Sequence, residues 1–96
     1  MNQTFEDFQA QKLKEGYDEV LQRVWEPHFA NEMHAHPFDT DARVAQGEYW
    51  LTINGQTIHY TTGDTFQVAS GVMHSEKYGA EGAIFWAARK NHSTKG

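Results

Sequence analysis

Three histidines are the residues of this chain best suited to chemistry. His34 and His36 flank a single alanine, and His74 follows 40 residues after His34. Alternate residues of a β-strand point to the same face, so a strand through His34 and His36 aims two imidazoles at one point. A third imidazole from a distant strand completes three nitrogen ligands for a divalent metal and leaves positions for water or substrate. The pattern therefore predicts a metal site made of His34, His36 and His74.

One short helix is predicted before the segments that carry these histidines. Thr4 followed by Asp7 is typical of a capping box at a helix N-terminus. Gly16 is a suitable residue to end a helix. The sequence therefore predicts a helix over residues 5–15, with a scaffold role rather than a catalytic one.

The composition from Tyr17 onward is typical of β-structure. Short runs of Val, Ile, Thr and aromatic residues alternate with turn signals. Asn54-Gly55 is the strongest of these signals and predicts a two-residue hairpin. The predicted strands cover residues 19–25, 33–36, 43–46, 48–53, 57–60, 65–68, 74–77 and 83–89. Many short strands after one helix indicate a small β-sandwich or barrel.

The length and charge of the chain restrict its organisation and its partners. Ninety-six residues predict a single domain, divided into an N-terminal helical segment 1–16, a β-barrel 17–89 and a tail 90–96. The net charge of -5 and the absence of a lysine or arginine patch argue against a nucleic-acid partner.

The sequence contains no cysteine, so disulfides, thiolate ligands and cysteine nucleophiles are excluded. The N-terminus lacks the basic start and apolar run of a signal peptide. The longest apolar run, residues 83–88, is far too short to cross a membrane. We expect a cytoplasmic protein without a membrane partner.

Two motifs of this chain resemble those of the cupin superfamily, and specifically of its small single-domain bacterial members. The first cupin motif reads His-x-His, three or four residues, Glu, six residues, Gly. Its counterpart here runs from His34 and His36 to Gly47.

The second cupin motif reads Gly, five residues, Pro-x-Gly, two residues, His, three residues, Asn. Gly63, Gly71 and His74 fall on that spacing, while Ala69 replaces the proline and Tyr78 the asparagine. The resemblance covers about residues 31–78. It implies an all-β, RmlC-like jelly roll (a double-stranded β-helix barrel), here with a short N-terminal α-helix. It also implies a metal and a small-molecule ligand in the barrel mouth, and a homodimer.

The oxygen ligand of the first motif is ambiguous in this sequence. Counting back from Gly47 puts Thr40 at the glutamate position of the family, and this register is slightly favoured. Counting forward from His36 puts Asp41 there instead. Because a shift of one residue reverses the face of a strand, the two registers cannot both supply an inward ligand. Asp39 is a third candidate, in an expected loop.

A three-histidine site with open positions supports several functions. The cofactor expected is one divalent transition metal, with Fe, Ni, Zn and Mn as candidates. The first hypothesis is a metal-dependent enzyme acting on a small organic molecule, as an oxygenase or as an isomerase or lyase. The alternatives are a small-molecule-sensing module without catalysis and a metal-stabilised scaffold. Glu76 shares the strand face of His74 and is a candidate neighbouring carboxylate.

Overall fold

The computed structural model describes residues 3–91, so residues 1–2 of the predicted helical segment and residues 92–96 of the predicted tail lie outside it. One helix, α1 (Phe5–Lys14), precedes six strands. The strands are β1 (Glu19–Trp25), β2 (Ala30–His34), β3 (Phe38–Ile53), β4 (Gln56–Thr61), β5 (Thr65–Val68) and β6 (His74–Asn91).

Helix α1 begins with the predicted capping box. The backbone N–H of Asp7 donates to Thr4 Oγ1 at 3.1 Å, and the Thr4 N–H donates to the Asp7 carboxylate at 3.3 Å. These two bonds satisfy donors that the first helical turn leaves free. The chain leaves the helix through Gly16, whose φ of +103° suits glycine. The predicted helix is confirmed, with its last helical residue at Lys14 rather than at 15.

The two long strands β3 and β6 pair with each other and run through both layers of the fold. In the first layer the strand order is β1-β6-β3-β5, built from the C-terminal half of β6 and the N-terminal half of β3. In the second layer the order is β2-β6-β3-β4, built from the other halves of the same two strands. All pairings are antiparallel, which is the arrangement expected of a jelly roll.

Glycines allow the long strands to bend between the layers. The pairing of β3 with β6 shifts register on both sides of residues 46–47, and Gly47 has a φ of +97°. A Cβ at Gly47 would collide with the carbonyl oxygen of Gly82 on β6, so only glycine fits. The sequence predicts strand breaks at these glycines, and this is wrong, because the ladder continues through the bulges.

The inner faces of the two layers form the main core. Tyr49 of the second layer lies 4.7 Å from Phe66 and 4.6 Å from Phe85 of the first, measured between ring centroids. On the outer face of the first layer, Phe8 of α1 packs with Val20 and Ala88. The helix therefore supports the sheet from outside.

The predicted all-β, cupin-type jelly roll with an N-terminal helix is confirmed, in the form of a sandwich. Strands β1 and β2 lie at one edge and β4 and β5 at the other, and the described residues do not close the sheet into a barrel. The interior between the layers is where the histidines lie. Within residues 3–91, no helix has the length and apolar character needed to span a membrane.

Candidate metal centre

Pairing of β2 with β6 brings two of the three histidines together. His34 is the last residue of β2, and it lies directly opposite His74, the first residue of β6. His36 lies two residues beyond the end of β2, in the connection to β3. The predicted strand through both His34 and His36 is therefore only partly right, because β2 ends at His34. The connection to β3, and not the alternation of a strand, positions His36.

The three imidazoles converge at one point. The ring centroids lie 4.3 Å apart for His34 and His74, 4.9 Å for His34 and His36, and 5.1 Å for His36 and His74. One ring nitrogen from each lies within 4.8 Å of the other two. His74 is buried, with 1% of its surface exposed, and the other two are partly buried. We refer to these three residues as the histidine cluster.

Backbone carbonyls fix the orientation of two of the rings. His34 Nδ1 lies 2.6 Å from the carbonyl oxygen of Glu32, and His74 Nδ1 lies 2.9 Å from that of Val72. A neutral imidazole that donates through Nδ1–H carries its free lone pair on Nε2. Each ring therefore presents Nε2 as an acceptor or ligand, in the arrangement common to metal-binding histidines.

The third ring is held differently. His36 stacks on Phe38, with 4.8 Å between ring centroids and 13° between ring planes. Burial lowers the pKa of His36, and the neighbouring His34 and His74 lower it further. A lowered pKa favours the neutral imidazole, which is the form that binds a metal.

A carboxylate lies beside the cluster, and it comes from Glu76 rather than from the first motif. Glu76 Oε1 is 3.7 Å from His34 Nε2, and Oε2 is 3.9 Å from His74 Nε2. The side chain is 11% exposed. Asn31 Nδ2 donates to Oε1 at 2.8 Å, and the Tyr49 hydroxyl donates to Oε2 at 2.7 Å. The His74-x-Glu76 spacing on one strand face is the sequence signal for this neighbour.

The Tyr49 hydroxyl remains a donor to this carboxylate over a wide pH range. Burial raises the pKa of Tyr49 far above its usual value, and the charge of Glu76 and its hydrogen bond raise it further. A phenol in this environment keeps its proton. Tyr49 and Asn31 therefore hold Glu76 in one orientation, with lone pairs left on both oxygens.

The structure does not bring Asp41 to the histidine cluster. Its carboxylate lies on the outer face of β3, 2.8 Å from Lys12 Nζ of α1 and 3.4 Å from the Tyr17 hydroxyl. Strand alternation explains this position, because Thr40 and Ala42 on either side line the interior. Asp39 accepts a hydrogen bond from the backbone N–H of Ser70 at 2.8 Å. Of the three candidates from the first motif, Thr40 alone lines the same cavity as the histidines.

The cavity that contains the cluster has a volume of about 110 Å³. Its walls are largely apolar, including Phe66, Val68, Phe85 and Ala87 of the first layer. Small cavities with apolar walls and a few convergent polar groups are typical of small-molecule sites. The cavity is thus suited to a small ligand that contacts the histidines.

The donor set fits a divalent transition metal. The three imidazole nitrogens lie within 4.8 Å of one another, so small side-chain adjustments would let one metal ion contact all three. Nitrogen donors with one neighbouring carboxylate suit Fe, Ni, Zn and Mn. The described residues offer no thiolate, because the chain has no cysteine.

Comparisons with known proteins give similar folds rather than close relatives. Neither a protein-family profile nor a curated protein sequence matches the chain. An RmlC-like cupin from Shewanella frigidimarina NCIMB 400 is 21% identical, with a TM-score of 0.66 over 78% of this chain and 67% of that one. An uncharacterised conserved protein with a double-stranded β-helix domain from Klebsiella pneumoniae is 27% identical, with a TM-score of 0.62 over 74% of this chain and 64% of that one.

A third similar structure is a predicted oxalate decarboxylase from Thermotoga maritima. It is 17% identical, with a TM-score of 0.66 over 86% of this chain and 74% of that one. This chain therefore spans about two thirds of the first two solved chains and three quarters of the third. At these identities the likeness is one of fold.

Proposed function

Since this chain is a small cupin-fold protein, we propose that it is a metal-dependent enzyme that acts on a small organic molecule. His34, His36 and His74 hold one divalent metal. The substrate occupies the cavity beside them. The reaction is oxygenase-like, or isomerase- or lyase-like.

One observation carries the proposal. Three imidazole nitrogens lie within 4.8 Å of one another in a small cavity, and backbone carbonyls orient two of the rings so that Nε2 is free. Two Nε2 lone pairs cannot bond to each other, so a partner that accepts lone pairs suits this arrangement better than the rings suit one another. A metal ion satisfies all three at once.

The residues around the cluster divide the remaining tasks. A divalent metal bound there supplies Lewis-acid polarisation of a substrate oxygen, and with iron it supplies redox chemistry. Glu76 can take a proton from a substrate at either oxygen and return it, because both oxygens keep a lone pair beside their donors Asn31 and Tyr49. The apolar part of the cavity wall, including Phe66 and Phe85, contacts the carbon skeleton of the substrate. This carboxylate favours chemistry with a proton transfer, as in an isomerase or a lyase.

Elemental analysis tests the metal site directly. Protein purified without a tag or chelators should contain about one equivalent of a transition metal per chain. A His34→Ala/His74→Ala variant should lose that metal. His59→Ala is the matched control, because His59 is an exposed histidine that pairs with Glu48 outside the cavity.

The outcomes separate the functions. Metal in the wild type and in His59→Ala, but not in the double variant, supports the proposal. An absence of metal, even after incubation with Fe(II), Ni(II), Zn(II) and Mn(II), would leave a metal-free binding or sensing module. Stoichiometric metal in all three proteins would contradict the assignment of the ligands.

A further inference from the structure

Two arginines line the same cavity as the histidine cluster. Arg23 lies on β1 and Arg89 near the end of β6, which are neighbouring strands of the first layer. The neighbour of each arginine along its strand faces the outer side of the sheet, because Val24 is exposed and Ala88 packs on α1. Since side chains alternate along a strand, Arg23 and Arg89 face the inner side. The inner face of this layer therefore carries two positive charges where apolar residues are the rule.

Each guanidinium is stacked on an aromatic ring. Arg23 Cζ lies 4.8 Å from the ring centroid of Trp25, and Arg89 Cζ lies 4.5 Å from that of Phe38. Stacking uses the flat faces of a guanidinium and leaves the N–H groups at its edges free to bind a planar anion. The aromatic rings thus hold the arginines in place without occupying the N–H groups at the edges of the guanidinium.

The residues that the structure describes balance these positive charges poorly. Arg89 Nη1 lies 3.8 Å from Glu19, whose side chain is 44% exposed, so that pair is weak. Among residues 3–91, Arg23 makes no ion pair with a carboxylate. Within the described part of the chain, Glu76 is the one acidic residue lining the cavity, and Asn31 and Tyr49 already bind its oxygens. Burial lowers the pKa of Arg89, and the charge of Arg23 lowers it further, as expected for two cations that repel each other.

Phe38 connects the arginines to the histidine cluster. Its ring stacks with His36 at 4.8 Å between centroids and with Arg89 at 4.5 Å. Arg89 and His36 thus contact the same ring, and both line the one cavity. The apolar walls between them, including Phe85 and Ala87, suit a short carbon skeleton.

We propose that the cavity binds a small organic carboxylate, whose carboxylate group is received by Arg23 and Arg89. The rest of the molecule extends towards the histidine cluster, where its second polar group, a hydroxyl, keto or carboxylate oxygen, is placed. This substrate class rests on the proposed function for its reaction. The anion site itself is made by residues outside the metal site, so it can be tested without a metal.

Binding of malonate to metal-free protein tests the anion site, and malonamide is the uncharged probe of the same shape. Titration followed by amide chemical shifts in NMR should show millimolar or tighter binding of malonate and none of malonamide. Arg23→Gln and Arg89→Gln should each weaken malonate binding at least about tenfold, because a charged donor pair is lost. Arg43→Gln is the matched control, because Arg43 lies on the outer face of β3, where it contacts Gln3.

Further variants keep each outcome informative. Arg23→Lys and Arg89→Lys retain the charge and should bind malonate with intermediate affinity if a glutamine variant does not fold. The His34→Ala/His74→Ala variant should still bind malonate, which separates this site from the metal. The proposal would be overturned if the wild type did not bind malonate, or if the Arg23→Gln and Arg89→Gln variants bound it as tightly as the wild type. A preference for inorganic phosphate over malonate would also overturn it. Absence of metal from the wild type would overturn the proposed function alone.

Discussion

Two hydrogen bonds hold the Glu76 carboxylate beside His34 and His74. Its oxygens lie 3.7 and 3.9 Å from the two Nε2 atoms. At the scale of single residues, Glu76 is therefore a carboxylate held beside the three nitrogen donors.

Substitution of Glu76 should weaken metal binding. Glu76→Gln removes the negative charge and turns one oxygen into a donor that faces the cluster, so we expect affinity to fall by about 10- to 100-fold. Asp41→Asn is the control with the same chemical change on the outer face of β3, and it should leave the affinity unchanged. Competition with a chromophoric chelator measures both. A larger loss in Asp41→Asn than in Glu76→Gln would contradict the structure-based assignment.

The sequence predicts the histidines and offers Glu76 as a neighbouring carboxylate, but it leaves the oxygen ligand of the first motif open. His-x-His and the distant His74 are informative because few other roles need that spacing. Asp41 and Thr40 differ by one residue, and spacing cannot decide which faces inward, because the connection after His36 is irregular. The packing of α1 decides which of the two residues faces inward, since Lys12 of the helix binds Asp41 on the outer face. That packing is a tertiary contact, which local sequence does not contain.

At the scale of the elements, the bend of β6 depends on Gly82. Its φ is +73°, and a Cβ there would collide with the carbonyl oxygen of Trp25 at the end of β1. Gly82→Ala should therefore lower the free energy of unfolding by roughly 3 kcal/mol or more, from backbone strain and from overpacking. Denaturant unfolding measures this loss.

Gly63→Ala is the matched control for the bend. Gly63 has a φ of +96°, but nothing lies within 4 Å of the added methyl group. Only the strain remains, so we expect a loss of about 1–2 kcal/mol. Equal losses of stability for Gly82→Ala and Gly63→Ala would show that the close contact between strands at Gly82 does not affect the free energy of unfolding.

Docking of α1 is expected to affect stability rather than the site. Phe8 is 4% exposed against Val20 and Ala88, so Phe8→Ala should cost about 3–5 kcal/mol. Leu13→Ala, at a position 48% exposed on the same helix, should cost only about 0.5 kcal/mol. Thermal unfolding and metal content measure the two effects. Loss of metal from folded Phe8→Ala protein would indicate that the helix shapes the site.

The predicted elements agree with the structure where local signals are strong. The capping box defines α1, and the strands at 19–25 and 65–68 are predicted with their observed bounds. The bounds of the long strands β3 and β6 are not predicted, because the glycines at 47 and 82 indicate strand ends when the sequence is taken alone. Their pairing across a bulge is held by partners distant along the chain, which a local pattern cannot show.

At the scale of the whole molecule, metal removal should lower the melting temperature. A metal that binds the native state alone contributes about 2.7 kcal/mol at a concentration one hundred times its Kd, or a shift on the order of 10 °C for a domain of this size. Calorimetry with and without a chelator measures the shift. The His34→Ala/His74→Ala variant should show none, and an equal shift in that variant would place the bound metal elsewhere.

A single domain over residues 1–96, a homodimer and a cytoplasmic location stay predictions. Exposed apolar side chains, including Val24, Met33, Ile58 and Met73, lie on the surface of the described protomer.

Strands β3 and β6 are central in both layers, and every other strand pairs with one of them. Neither layer can open by itself without breaking a strand that the other layer shares. We therefore expect the slowest amide hydrogen exchange along β3 and β6 at one common free energy, equal to that of global unfolding. Two separated plateaus of exchange would contradict this expectation. A single plateau would mean that the histidine cluster and the surface that supports α1 appear and disappear in the same molecular event.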